Sequence, residues 1–269
     1  MTNLKLNETP IRTAKNYGIN NIKLENINVP ENISEFNGLE ITGVSDDGKV
    51  MVKENVDKND FKYGNGDILA KQIDEKSNKN LSLEIDGKLS EELFLDFVFS
   101  EENKNLLENI LIKANENAKG TIIIRFTSKG EQEYYHNGQI KIIAEKNAKL
   151  NIVLVNLLNN QTNHFLAIEN IIKENAEIKY VTAEFGGKNT IINYYTCLKE
   201  TGANNEINTI YLGGQDQIID LNYIVEAYGE KTNIDMDLKG AISENCKKHF
   251  KGTIDFKKGC KKSKGNENE

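Results

Sequence analysis

The chain is 269 residues long, 38% hydrophobic and 28% charged, enough for one large domain or two ordinary ones, with a narrow apolar core. Its formal net charge is −7 and it holds only two arginines, Arg12 and Arg125, which argues against nucleic-acid binding because that needs a dense basic footprint. No apolar run approaches the roughly 18–20 residues of a membrane span, the N-terminus lacks the apolar stretch of a secretory signal, and three cysteines without a C-x-x-C pair point to a reducing cytoplasm.

Residues 1–78 read as a small mixed α/β segment. "TPIRTAKNYGIN" (9–20) predicts a short helix after its Thr-Pro start. "LEITGVSDDGKVMVKENV" (39–56) predicts two short strands around the turn Asp46-Asp47-Gly48. "NDFKYGNGDILAKQIDEKSNKN" (59–80) is turn-rich, then helical, then a polar linker.

From residue 79 to 269 the period changes to two. Leu81, Leu83 and Ile85 alternate with Ser82, Glu84 and Asp86. Ile219, Leu221, Tyr223 and Val225 alternate with Asp220, Asn222, Ile224 and Glu226. Ile234, Met236 and Leu238 alternate with Asp235 and Asp237. Such alternation predicts half-buried strands.

A repeated phrase overlies the strands. Ala118 in "NENAKG", Ala148 in "EKNAKL", Ala176 in "KENAEI" and Gly202 in "KETGAN" recur at steps of 30, 28 and 26, with Cys260 in "FKKGCKKS" as a fainter echo. Periods of this size indicate stacked units. A propeller would carry an aromatic signature in each blade, whereas tryptophan is absent here. A β-solenoid fits: each coil winds short strands around a thin core. The small residue takes the tight corner, where Leu would clash with the coils above and below.

The chemistry-bearing residues are few. Cys246, His249 and Cys260 invite an iron or zinc reading. Their spacings of 3 and 11 leave a fourth ligand unnamed, strand alternation sends Cys246 and His249 to opposite faces, and Cys260 has a simpler role as the small corner residue. No metal is expected on them. Cys197 and His164 stand alone, and no Ser/His/Asp grouping occurs. Gly213-Gly214 lacks the lysine and helix start of a phosphate loop and reads as a turn. The one basic stretch, Lys247 to Lys264, reads as a solvated edge that blunts unwanted strand pairing.

The stretch "GAISENCKKHFKGTIDFKKGCKKSKGNENE" (240–269) resembles the closing phrase of the SufB/SufD family of iron–sulfur cluster assembly proteins. Phe250, Gly252, Ile254 and Phe256 occupy the family's final strand, and Gly259-Cys260-Lys261-Lys262-Ser263 its Ala-x-Lys-Thr region. Thr253 stands where the family has lysine, and Asn266-Glu267 where it has a glutamine-bearing end. Thr9-Pro10-Ile11-Arg12-Thr13 is similar to the family's opening.

The resemblance implies a right-handed parallel β-helix over 79–269, a cytoplasmic location and no enzymatic turnover, with the chain closer to SufD than to SufB. It implies pairing with a SufB-like paralogue, or as a homodimer, through strands near the C-terminal end, here Thr253, Ile254, Asp255 and Phe256. It also implies binding to the SufC ATPase. The family's following helical segment, with its cluster-associated Cys-x-His motif, has no counterpart up to Glu269. No cluster ligand is therefore carried over: the expectation is no firmly bound cofactor, with a transient iron–sulfur cluster in the assembled complex. The competing expectations are a carbohydrate-active β-helix (a polysaccharide lyase or hydrolase) and a purely structural solenoid. The first needs clustered carboxylates along one groove, and alternation scatters the acidic residues here.

Overall fold

A computed structural model describes residues 1–10, 18–44 and 49–269. The helix expected over 9–20 and the turn at 46–48 fall largely outside these residues. Strands β1 (Thr2–Leu6) and β2 (Ile22–Ile27) pair antiparallel. Next come β3 (Leu39–Thr42), β4 (Val50–Glu54) and a helix, α1 (Asp67–Lys76). Strands then follow in unbroken succession: β5 (Lys79–Ile85), β6 (Leu93–Phe99), β7 (Asn105–Ala114), β8 (Lys119–Ser128), β9 (Tyr135–Ala144), β10 (Lys149–Leu157) and β11 (Asn163–Ile172). They continue as β12 (Glu177–Glu184), β13 (Asn189–Leu198), β14 (Asn204–Gly213), β15 (Ile218–Ala227), β16 (Asn233–Ile242), β17 (Lys247–Phe256) and β18 (Lys264–Asn268).

From β5 onward the strands go alternately into two facing sheets, one ordered β5-β7-β9-β11-β13-β15-β17 and the other β6-β8-β10-β12-β14-β16-β18, all parallel. Each consecutive pair makes one coil of a parallel β-solenoid, about seven coils in all. β4 and β3 add to the first strand of each sheet in antiparallel sense. The two strands expected over 39–56 are therefore real, but they join different sheets instead of forming a hairpin. Among the described residues no helix is long and apolar enough to cross a membrane.

The core is a stack of equivalent side chains. Ile122, Ile152, Tyr180, Ile207 and Met236 lie in one register row, and all are buried. β-Branched and aromatic residues suit this pleated surface. At one corner Asn117, Asn147 and Asn175 adopt positive φ (63°, 58° and 53°), which asparagine tolerates. Ala118, Ala148 and Ala176 follow them, each fully buried.

The fourth coil corrects the alignment. Gly202 (φ 74°) takes the asparagine's place and Ala203 the buried slot. Further on, register puts Thr232 and then Ser263 in this column, and the Thr232 hydroxyl donates to Ser263 Oγ at 2.8 Å. Cys260 packs partly against the core but lies three residues ahead of that slot.

The two sheets differ on their outer faces. β10 and β16 bury alternate residues over most of their length, as expected of half-buried strands. β15 does not: Asp220, Asn222, Ile224 and Glu226 are buried along with the inward residues. The N-terminal segment covers this sheet. Leu4, Leu6, Ile22, Leu24, Ile27 and Leu69 cluster with Tyr135, Phe165 and Ile191. Each such aliphatic side chain contributes ~1.5–3 kcal/mol of gross burial. Polar contacts fix the cover: Asn137 donates to the Leu69 carbonyl at 2.9 Å, and the Lys62 N–H to Glu169 Oε2 at 2.5 Å.

Candidate interaction site at the terminal coil

Among the described residues, β17 and β18 stand at the outer limits of their sheets, each with one neighbouring strand. The Lys247 and Lys257 N–H groups donate to the carbonyls of Gln217 and Ala227. Odd-numbered residues of β17 therefore turn their backbone groups toward β15, and even-numbered ones present N–H and C=O at the free edge. Among the described residues no further coil covers the inward-pointing side chains of β17. Phe250 stands edge-on to Tyr223 (5.7 Å, 86°), Ile254 is half-buried, and Phe256 is 45% exposed. Lys248 lies over the rings of Tyr211 and Phe250, and its ammonium is pushed down by burial.

The outer face of β17 is tied to the rest of the molecule by two charge networks. Buried Asp220 accepts from Lys251 Nζ at 2.6 Å and from Asn7 Nδ2 at 2.7 Å. Glu226 accepts from Lys62, Tyr195, Tyr228 and Lys257. Burial pushes the Glu226 carboxyl up, but hydrogen bonds from Lys62, Tyr195, Lys257 and Tyr228 outweigh it and hold it at about 2. Asp255 and Lys257 pair at 2.5 Å beside this group.

The sequence-predicted residues fall as follows. Thr253, Ile254, Asp255 and Phe256 form the second half of β17. Cys246 is in the corner before that strand, buried against Gly213, and burial pushes its thiol up. His249 is half-exposed on the outer face, with Nδ1 3.6 Å from Asp220 Oδ2. Cys260 lies in the corner after β17. That strand is 10 residues long, so its ends are roughly 30 Å apart at about 3.3 Å per residue, and the two cysteines are not brought together. Gly213-Gly214 closes β14 and opens a corner turn.

A trio inside the core was invisible to motif reading. His136 and His164, in the same row of β9 and β11, stack with Nδ1 atoms 2.7 Å apart. Glu108 of β7 reaches to 3.4 Å from His136 Nε2. All three are fully buried, and among the described residues neither Glu108 oxygen has a hydrogen-bond partner. Burial pushes Glu108 well up, pushes His136 down to about 3, and with His136 beside it pushes His164 well down. The available signal was spacing: His164 follows His136 by 28 residues, the step from Ala148 to Ala176. Among the described residues no group of three or more His, Cys, Asp or Glu side chains is arranged to hold a metal ion.

No curated protein matches the chain. The family model described as "SUF system FeS cluster assembly, SufBD core domain" matches residues 97–269. That is more than half of the chain, from within β6 through every later coil to the open end. A solenoid of stacked parallel coils that coincides with this match leaves one family: the chain belongs to the SufB/SufD proteins of the SUF iron–sulfur cluster assembly system.

Proposed function

We propose that this chain is a non-enzymatic scaffold subunit for iron–sulfur cluster assembly, acting with a SufB-like paralogue or a second copy, and with the SufC ATPase. The observation that carries the reading is the unpaired terminal coil on a chain of this family. Two free strand edges beside a partly uncovered apolar end face are satisfied by strands from a partner. We assign the contact to Thr253, Ile254, Asp255 and Phe256, and take 79–269 as the scaffold body with 1–78 as its N-terminal segment. The cluster is cargo, held transiently by the assembled complex and not firmly by this chain.

The test is co-expression of tagged chain with SufB and SufC homologues. Both are expected to be retained through purification. Phe256→Asp, at an exposed ring, is expected to release the paralogue while leaving the far-ultraviolet circular dichroism unchanged. A chain that stays monomeric and retains neither protein overturns the proposal.

A further inference from the structure

The terminal coil has a charge opposite to that of the rest of the molecule. Residues 243–269 hold eight lysines against four carboxylates (Glu244, Asp255, Glu267 and Glu269), on a chain whose formal net charge is −7. Three of these lysines have acidic partners: Lys248 with Glu269, Lys251 with Asp220, and Lys257 with Glu226 and Asp255. The other five, Lys247, Lys258, Lys261, Lys262 and Lys264, are exposed and have no ion pair among the described residues. Lys247 opens β17, Lys264 opens β18, and the remaining three fill the corner between them. All five therefore border the two free edges.

Unpaired lysines on a strand edge oppose its pairing with a like edge. Two copies meeting end to end would bring ten such charges within a few Debye lengths, about 8–10 Å each at moderate salt. The same charges attract an edge bordered by carboxylates, and specificity commonly combines such repulsion with attraction.

We propose that the terminal coil selects a partner whose facing strand edge is acidic, and that it disfavours a second copy of this chain. The inference rests on the edge-pairing reading above and deepens it: the lysines choose between the two partners which that reading leaves open.

The full chain supplies its own probe. A variant carrying Lys247→Glu, Lys258→Glu, Lys261→Glu and Lys262→Glu turns the border acidic without touching an ion pair or the core. In sedimentation at ~0.1 M salt, each protein alone is expected to be monomeric. An equal mixture is expected to form a one-to-one pair, bound at least about tenfold tighter than either self-pair and weakening as salt rises. Gly252→Pro removes a free-edge N–H while leaving the ladder to β15 untouched, and is expected to abolish the pair with circular dichroism unchanged. Self-association of the wild-type chain, lost in Gly252→Pro and no weaker than the mixture, overturns the acidic-partner inference but leaves edge pairing standing. A mixture that stays monomeric overturns it too, whereas co-purification with the SufB and SufC homologues tests the scaffold reading independently.

Discussion

A buried carboxyl without a partner is tolerated only in its neutral form, so the enclosed acids and histidines tie folding to pH. Glu184 lies inside the solenoid; burial pushes it from 4.5 to about 7 despite a hydrogen bond from Asn156. Its folded value is above its unfolded one. The folded chain keeps a proton that the unfolded chain releases, and this contribution to stability is full below about pH 4.5 and lost as pH rises to about 7. Glu108 has the same sign. His136 and His164 have the opposite one: their contribution is full above about pH 6.5 and is lost as pH falls, toward about 3 for His136. Stability therefore declines on both flanks. In urea titrations across a pH series, wild type is expected to lose roughly 3 kcal/mol relative to Glu184→Gln between pH 4.5 and 7. Parallel stability curves for the two proteins would show that Glu184 does not change protonation on folding.

Corners and strands differ in how plainly the sequence announces them. The Asn-Ala corners were legible because two physical demands, a positive φ and a side chain small enough for the stack, fall on adjacent residues. The alignment slipped at Gly202 because glycine satisfies both demands, and only the register with β12 separates it from Ala203. Cys260 misled for a related reason: the corner after β17 is longer, which moves the slot to Ser263. Ala148→Leu adds three carbons to a slot with no free surface and is expected to cost ~1–3 kcal/mol by overpacking, read as a lower urea midpoint with an unchanged slope. β15 was misread as half-buried because a strand's own alternation cannot report what covers its polar face. The terminal site was legible as a strand and a lysine border. The pairing of Asp220 with Asn7 was not, because it joins residues 213 positions apart.

For the molecule as a whole, the N-terminal segment fastens onto the sheet that ends in β17. Glu226 is a principal fastener, holding Lys62 from the covering segment and Lys257 from the last coil through one carboxylate. Glu226→Gln is expected to speed amide exchange in residues 60–66 about tenfold, the effect of losing a charge-assisted bond, with β10 unchanged. Uniform acceleration would instead indicate global loosening. The two poles of the solenoid are also unlike. At one, β3 and β4 end the sheets as strands of four and five residues running against the coils. At the other, β17 and β18 are the outermost of the described strands, ten and five residues long and parallel to the coils. A rod with two equivalent open poles could add units without limit and become a fibre. With short antiparallel strands at one pole, the strand-edge pairing proposed above would stop once two chains had met.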